Sequence, residues 1–199
     1  MVKEYSAGLM SQSFWFVEMK KVLNLIKSGK CYDEIRNICL SENIFGAINE
    51  YRAKRMCNYV INRAKLLSPD MMELFFTSDL QTQKLINLIS ILKSDRLFFE
   101  FVYEVYRENI ILGNYQISDS DLNVFFNNKE LQSEVVLNWK ESTKKHLKST
   151  FINYLFEANI LEPNGRTYTI LPPILDIALE RYLIFSGEET IVNALTGVK

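Results

Sequence analysis

The chain has 199 residues, of which 48% are hydrophobic and 13% aromatic, and its formal net charge is −1. This length allows one domain or two small ones, and the apolar content is enough for a core that needs no disulfide or metal to hold it. The three cysteines, Cys31, Cys39 and Cys57, are odd in number, so we expect buried thiols in a reducing compartment.

The small net charge conceals a segregation of charge along the chain. Residues 1–68 hold 11 basic and 6 acidic groups, and residues 140–170 hold 5 and 3, whereas residues 69–139 hold 5 basic and 11 acidic groups. Two basic segments therefore flank an acidic middle. Because electrostatic fields act locally, within a Debye length of about 10 Å, the chain can bind phosphates if its positive charges lie on one surface.

The N-terminal segment has the apolar pattern of three helices. The first starts near Ser11 or Ser13 and ends at Ser28, and a short second helix covers 33–40. After a turn, a third helix covers about 49–67 and has an apolar stripe along one side. A short helix, a turn and a longer basic helix form the helix-turn-helix order, in which the later helix enters the major groove of DNA.

The polar face of that third helix carries the first set of candidate DNA contacts. Arginine pairs bidentately with guanine and asparagine with adenine, and both reach phosphates. The alternative is that these side chains only solvate a surface helix. The candidates are Arg52, Lys54, Arg55, Asn58, Tyr59 and Asn62, with Asn58 and Asn62 as base readers.

The longest apolar and aromatic stretch, Lys84–Gly113, predicts two core helices separated by a break near Ser94. On the second of them, Glu100, Glu104 and Glu108 are four residues apart, which places them in one negative stripe. Such a stripe is either a solvated face or a docking surface for a partner protein. The spacing alone gives no sign of the paired carboxylates that acid–base catalysis requires.

A turn-forming segment after Gly113 predicts a boundary between two units, 1–113 and 114–199. The fold class predicted from these elements is mainly α. It consists of an N-terminal helix-turn-helix-like helical unit, a central helical hub, and a C-terminal winged helix with one short β-hairpin.

The winged-helix prediction rests on the order of elements in the second unit. Two helices precede a long third helix, which Ser142 or Thr143 caps and which ends near Ala158. The apolar period then changes from 3.6 to 2, and Asn164-Gly165 is a strong signal for a hairpin turn. In a winged helix the third helix enters the major groove, and the hairpin tip reaches a phosphate or the minor groove.

Lysines crowd the first two turns of this long helix. The positive end of the helix dipole lies there, so we expect something anionic to compensate them. Reversing the charges of Lys144 and Lys145 should then abolish most DNA binding and leave the fold intact. The alternative is a winged-helix module that binds protein. The candidate DNA contacts are Lys140, Thr143, Lys144, Lys145, Lys148 and, at the hairpin tip, Arg166, with Thr143 as a base reader.

Catalysis, cofactors and metals are not expected. The only histidine, His146, lies among lysines, which disfavours a zinc site and the nucleophile pairings that use histidine. The seven glycines form no GxGxxG or Walker pattern. No signal peptide is visible, and the most apolar candidate for a membrane span, 174–185, carries charges and is well short of about 20 apolar residues. We therefore expect a cytoplasmic protein.

Three stretches of the chain carry a family resemblance. The chain reads SDRLFFEFVYEVYRE from Ser94, DSDLNVFF from Asp119 and WKESTKKHLKSTFINYLFEANIL from Trp139. These stretches and their order, over nearly the whole chain from about Tyr5, are similar to the BrxA family of the BREX bacteriophage-exclusion systems of bacteria. The resemblance implies a cytoplasmic, mostly helical accessory protein that binds DNA and has no known catalytic residues. It assigns no base contacts.

The residues and the resemblance together predict a non-catalytic, double-stranded DNA-binding accessory protein of a BREX system. Two alternatives stay open. One is a scaffold subunit of the defence complex that contacts other BREX proteins through Glu100, Glu104 and Glu108. The other is an RNA-binding helical module resembling antitermination factors, which would prefer RNA to duplex DNA.

Overall fold

The computed structural model describes residues 4–198 and is mainly α-helical, as the sequence predicts. The N-terminal elements are a 3-10 helix (Gly8–Ser11), α1 (Phe16–Lys27), α2 (Tyr32–Ser41) and α3 (Glu50–Ala64). Helix α1 begins later than predicted, because the chain after the 3-10 helix is extended and then turns through a left-handed residue, Trp15, with φ 49°. The connection from α2 to α3 covers 42–49, longer than the roughly 3–4-residue turn of a helix-turn-helix.

Helix α3 starts at the predicted place because of its cap. The side chain of Asn49 accepts a hydrogen bond from the backbone N–H of Arg52, which satisfies one of the free amides of the first turn. The apolar stripe of α3 is buried as predicted. The sequence pattern predicts the basic residues of α3, Arg63 among them, on its polar face. Arg63 lies instead in the core, with only 1% of its surface exposed.

The middle of the chain contains α4 (Pro69–Thr77), α5 (Leu80–Ser94), α6 (Arg96–Phe101) and α7 (Arg107–Ile111). The predicted break after Ser94 is confirmed: Asp95 ends α5 and caps α6 by accepting a hydrogen bond from the N–H of Phe98. A π-helical turn, Val102–Tyr106, joins α6 to α7 and was not predicted. Because a π turn holds more residues than an α turn, α7 is rotated relative to a regular continuation of α6.

The C-terminal part contains α8 (Asp119–Gln132), α9 (Glu134–Leu137), α10 (Glu141–Glu157) and a small antiparallel sheet. Its strands are β1 (Gln116–Ser118), β2 (Leu161–Asn164) and β3 (Thr167–Ile170), in the order β1-β3-β2. The predicted hairpin is confirmed, with Asn164 paired to Thr167 and Gly165-Arg166 forming its two-residue loop. Strand β1 was missed, since three residues are too few to show a period.

Two further helices, α11 (Ile177–Phe185) and α12 (Glu189–Thr196), follow the sheet. Gly197 ends α12 with φ 74°, and a Cβ at this position would lie within 2.4 Å of the side chain of Ile110, so both the backbone and the close approach require glycine. No helix among residues 4–198 is long and apolar enough to cross a membrane.

Aromatic rings pack across the boundary predicted at residue 113. The ring of Phe98 on α6 lies 5.1 Å from that of Phe151 and 5.3 Å from that of Tyr154, both on α10. Phe101 likewise contacts Phe125 on α8 at 5.4 Å. Buried apolar residues from both predicted units therefore belong to one continuous cluster.

The extended segment Gln12–Phe14 is tied to both halves of the chain through the buried Arg63. Its guanidinium Nη1 donates to the carbonyl oxygens of Ser13 and Phe14 at 3.0 and 3.1 Å, and Nη2 donates to Oε1 of Gln12 at 2.8 Å. The hydroxyl of Tyr154 on α10 donates to the carbonyl of Gln12 at 2.8 Å, and the ring of Tyr154 lies 5.8 Å from the guanidinium of Arg63. The segment thus lies between α3 and α10 and bonds to each.

Replacing Arg63 by methionine should destabilise the protein. The change keeps an apolar stem but takes the donor from Oε1 of Gln12 and from the carbonyl of Ser13, and one of two donors from the carbonyl of Phe14, so we expect the free energy of unfolding to fall by about 3 kcal/mol. Urea unfolding measures this. The control is Arg52→Met on the exposed face of the same helix, expected to change it by no more than about 0.5 kcal/mol. Equal effects of the two changes would show that the segment is not held by Arg63.

Candidate nucleic-acid interface

Helix α10 presents one polar face to solvent. It begins at Glu141, with Lys140 at the N-cap, so Ser142 and Thr143 lie inside the helix and do not cap it as predicted. Its apolar residues, apart from the half-exposed Phe156, are buried in the core. The polar side chains on the exposed side recur at helical spacing and are Glu141, Ser142, Lys145, His146, Ser149 and Asn153.

Three clefts surround this face, and Ser149 contributes to all of them. The largest, about 620 Å³, lies between α3 and α10. A second, about 580 Å³, lies between α10, α8 and the sheet, and a third, about 250 Å³, lies between α10 and the hairpin. The exposed face of α10 is therefore the floor of a groove with walls on both sides.

The cleft between α3 and α10 brings together two predicted basic segments that are far apart in sequence. Arg52 and Arg55 come from α3, His146, Ser149 and Asn153 come from α10, and the segment 10–15 forms the base. Arginine, hydroxyl and amide side chains are all hydrogen-bond donors to phosphate oxygens. This cleft is suited to an anion.

The second cleft holds the exposed lysines of α10. Lys145 is exposed, and within the described residues its ammonium has no carboxylate partner. Lys148 is half-buried: it donates to Oδ1 of Asn123 at 2.7 Å and lies 5.3 Å from the ring centre of Phe126. Arg166, at the tip of the hairpin, is exposed beyond the third cleft. Lys145 and Lys148 thus line the second cleft, and Arg166 is at the exposed hairpin tip.

Lys144 is a correction to the predicted set. Its side chain is buried, 6% exposed, and its ammonium bonds to Glu130 at 2.5 Å and to Glu141. These carboxylates raise the pKa of Lys144 above its usual value. The sequence predicts an anion that compensates the lysines at the start of α10. For Lys144 this anion is supplied by Glu130 and Glu141 of the same chain. Reversing this charge would disturb the fold, contrary to the expectation from sequence.

The predicted contacts on α3 do not form one surface. Tyr59 is covered by the chain, since its hydroxyl bonds to Oγ of Ser11 and its ring stacks on Trp15. Asn62 lies with Tyr59 in a separate cleft of about 490 Å³ that also contains carboxylates. Asn58 accepts a hydrogen bond from Arg36 on α2. Lys54 is exposed but lines none of the three clefts around α10, and Lys140 is exposed at the N-cap.

The predicted stripe of Glu100, Glu104 and Glu108 is not a row of free negative charges. Lys129, only 1% exposed, lies between the first two and bonds to each at 2.6 Å. Hydrogen bonds from Lys129, Arg96 and Tyr5 outweigh the effect of burial and hold the pKa of Glu100 below its usual value. The π turn intervenes before Glu108, which pairs with its neighbour in sequence, Arg107. The carboxylates mainly stabilise the hub.

The structure corrects the prediction for one cysteine. Cys39 and Cys57 are buried as expected, but Cys31 is exposed at the start of α2. Among residues 4–198, no three or more His, Cys, Asp or Glu side chains are grouped so that they could hold a metal ion.

Sequence reasoning missed three residues of the groove, His146, Ser149 and Asn153. Their spacing on α10 was a usable signal, because they continue the solvent-facing side that Ser142 and Lys145 begin. Attention to charge alone overlooked them. The meeting of this face with α3 has no local signal, since it depends on contacts between distant parts of the chain.

The chain is similar to known proteins over almost its whole length. The model of the BrxA family matches residues 3–187. The BREX protein BrxA of Bacillus cereus (strain H3081.97) is 37% identical over 199 residues, which cover 99% of this chain and 100% of that protein. A crystal structure of an uncharacterized protein from Magnetospirillum magneticum covers 98% of this chain and 100% of its own, with a TM-score of 0.83 and 17% identity, which shows a shared fold.

Neighbouring lysines of α10 should differ sharply in their effect on stability. Lys144→Met takes the cation from Glu130, whose side chain is 22% exposed, and from Glu141, which is well exposed and stays solvated. We expect a loss of about 2 kcal/mol, the scale of a hydrogen bond between the lysine and the partly buried Glu130. Lys145→Met, at an exposed site, should change the free energy of unfolding by no more than about 0.5 kcal/mol. Urea unfolding of both variants compares them directly. Equal losses would contradict the assigned ion pair.

The contribution of this ion pair should disappear in acid. The hydrogen bond from Lys144 lowers the pKa of Glu141 from its usual 4.5, so the pair stabilises the fold above that value and ceases to do so as the pH falls through the lower, folded pKa. The difference in stability between the wild type and Lys144→Met should therefore narrow as the pH falls below 4.5, by a small amount because Glu141 is exposed to solvent. Urea unfolding at each pH measures it, and a constant difference would mean that the lysine acts through packing alone.

Proposed function

The chain belongs to the BrxA family of BREX proteins, and on this premise we propose that it binds double-stranded DNA without catalysing a reaction. Helix α10 is the element that enters the major groove, and the β2–β3 hairpin is the wing that follows the adjacent backbone. A major groove about 12 Å wide admits one α-helix, and in helix-turn-helix proteins of this kind the later helix is the one inserted.

The observation that carries the proposal is the exposed polar face of α10 beside a hairpin with a cationic tip. Lys145 and Lys148 face one side of the groove, and Arg166 extends beyond it. Cations so placed contact phosphates and fix the orientation of the protein on the duplex. The uncharged groups between them, Ser149 and Asn153, are the ones available to meet base edges.

Binding without catalysis agrees with the hydrogen bonds in the groove. A nucleophilic serine needs a base within hydrogen-bond reach. The hydroxyl of Ser149 instead donates to the backbone carbonyl of Lys145, at 3.2 Å, although His146 lies on the same face. The largest cleft has no carboxylate in its lining to orient that imidazole.

One observation favours a second function, that of a scaffold for other BREX proteins. Helix α11 and the residues before it expose a run of large apolar side chains, among them Ile174, Ile177 and Phe185. Contiguous apolar side chains on a surface mark contacts between proteins. In this second function the partner protein binds these apolar side chains and not the acidic stripe, because Lys129 already bonds to Glu100 and Glu104.

A salt titration of binding to random-sequence duplex DNA tests the proposal. If about six phosphates are neutralised, the logarithm of affinity should fall against the logarithm of salt concentration with a slope of roughly −5. The variant Lys145→Gln/Lys148→Gln should reduce the magnitude of that slope by about 2. Its matched control, Lys20→Gln/Arg181→Gln, removes two exposed charges from α1 and α11 and should leave the slope unchanged.

The same titration with other ligands separates the alternatives. Tighter binding to duplex RNA or to single strands than to duplex DNA would select an RNA-binding protein. No binding to any nucleic acid at low salt would reject the proposal and leave the scaffold function.

A further inference from the structure

The cleft between α3 and α10 is lined by positively charged residues and by no negatively charged ones. Arg52 and Arg55 supply two cations, and hydroxyl and amide groups supply most of the remaining polar atoms. No Asp or Glu lies among the residues that line this cleft, whereas the clefts on either side contain carboxylates. The whole chain has 23 basic and 24 acidic residues, so it is nearly neutral. The cleft, by contrast, is a local site of positive potential.

A third arginine strengthens that potential from beneath. The guanidinium of Arg63 is buried under the segment Gln12–Phe14, which forms the base of the cleft. Its hydrogen-bond acceptors within residues 4–198 are backbone carbonyls and the amide of Gln12, none of them a carboxylate, and its Nε has no acceptor at all. Arg63 also lines the neighbouring cleft that contains Glu4 and Asp95, so its charge acts on both clefts, and in the interior that charge is little screened by salt.

The cleft between α3 and α10 connects with the two clefts beside the wing. It is an open trough between two helices, and through Ser149 it is continuous with the groove beside the wing. A strand of nucleic acid lying on the face of α10 therefore has a path past Arg52 and Arg55. Its phosphates would be within reach of both arginine side chains and of the exposed donors of α10.

We infer that this cleft binds the sugar–phosphate backbone of one strand of the duplex that α10 contacts, so that α3 and α10 form a single DNA site. The inference rests on the proposed function. It assigns to α3 a role different from that of an inserted helix: α3 holds the backbone with two arginines, and α10 alone faces the bases. The two basic segments of the sequence then bind one duplex and not two.

The test compares matched pairs of substitutions on duplex DNA. Arg52→Gln/Arg55→Gln removes the two cations of the cleft, and Lys54→Gln/Lys20→Gln removes two exposed cations that line none of the clefts around α10, one of them from the same helix. We expect the first pair to weaken binding roughly ten-fold and to reduce the magnitude of the salt slope by about 2. The second pair should behave as wild type. Unfolding in urea confirms that each variant remains folded.

The number of duplexes bound per chain provides an independent readout. Sedimentation of the protein with a short duplex should give one duplex per chain. Two duplexes per chain, or equal binding by the Arg52/Arg55 and Lys54/Lys20 variants, would overturn the single site. If the Lys145/Lys148 variant still lost binding in that case, the proposed function would stand and only the role of α3 would fall. A wild type that binds no duplex would reject both.

Discussion

A guanidinium enclosed by protein fixes its surroundings more tightly than an apolar side chain does, because each of its donors must find an acceptor. Arg63 meets this requirement with its two Nη atoms but not with Nε: Nη1 bonds to Ser13 and Phe14 and so holds the segment on α3, and Asn87 of α5 adds a hydrogen bond of 2.9 Å to the carbonyl of Phe14. Once the segment lies there, Tyr154 can reach Gln12 from α10. The distance between the two basic helices, and with it the cleft, follows from this set of bonds.

Local position on a helix decides what each basic residue does. Lys144 and Lys145 are neighbours, yet a rotation of about 100° per residue turns one toward Glu130 and the other toward solvent. Lys129 likewise forms ion pairs with Glu100 and Glu104 and is buried. These ion pairs remove cations from the surface. Among residues 4–198, Arg52 on α3, Lys145 on α10 and Arg166 on the wing form no ion pair, so their charges stay available to a ligand, although carboxylates also line the clefts beside the wing.

The predictable part of the fold is the part that is local in sequence. Helices and their starts followed from the apolar period and from caps such as Asn49, and the hairpin followed from Gly165 and its neighbours. The π turn, β1 and the left-handed Trp15 depend on packing against distant residues, so no short-range sequence pattern predicts them. The candidate site divides in the same way. Most of its charged residues could be predicted from the sequence. The ion pair between Lys144 and Glu130 could not, because Glu130 lies on another helix, and neither could the position of α3 opposite α10.

The bond between Tyr154 and Gln12 spans 142 residues of sequence, and this has a consequence for the order of events during synthesis. At roughly 5–20 residues per second, the ribosome releases α10 on the order of ten seconds after the N-terminal segment. Until then α1 to α5 can assemble, but the segment 12–14 lacks its hydrogen bond to Tyr154. The aromatic rings of α6 also lack the rings of α10 against which they pack. The groove is therefore completed only after α10 has been synthesised, and shorter nascent chains do not yet carry it.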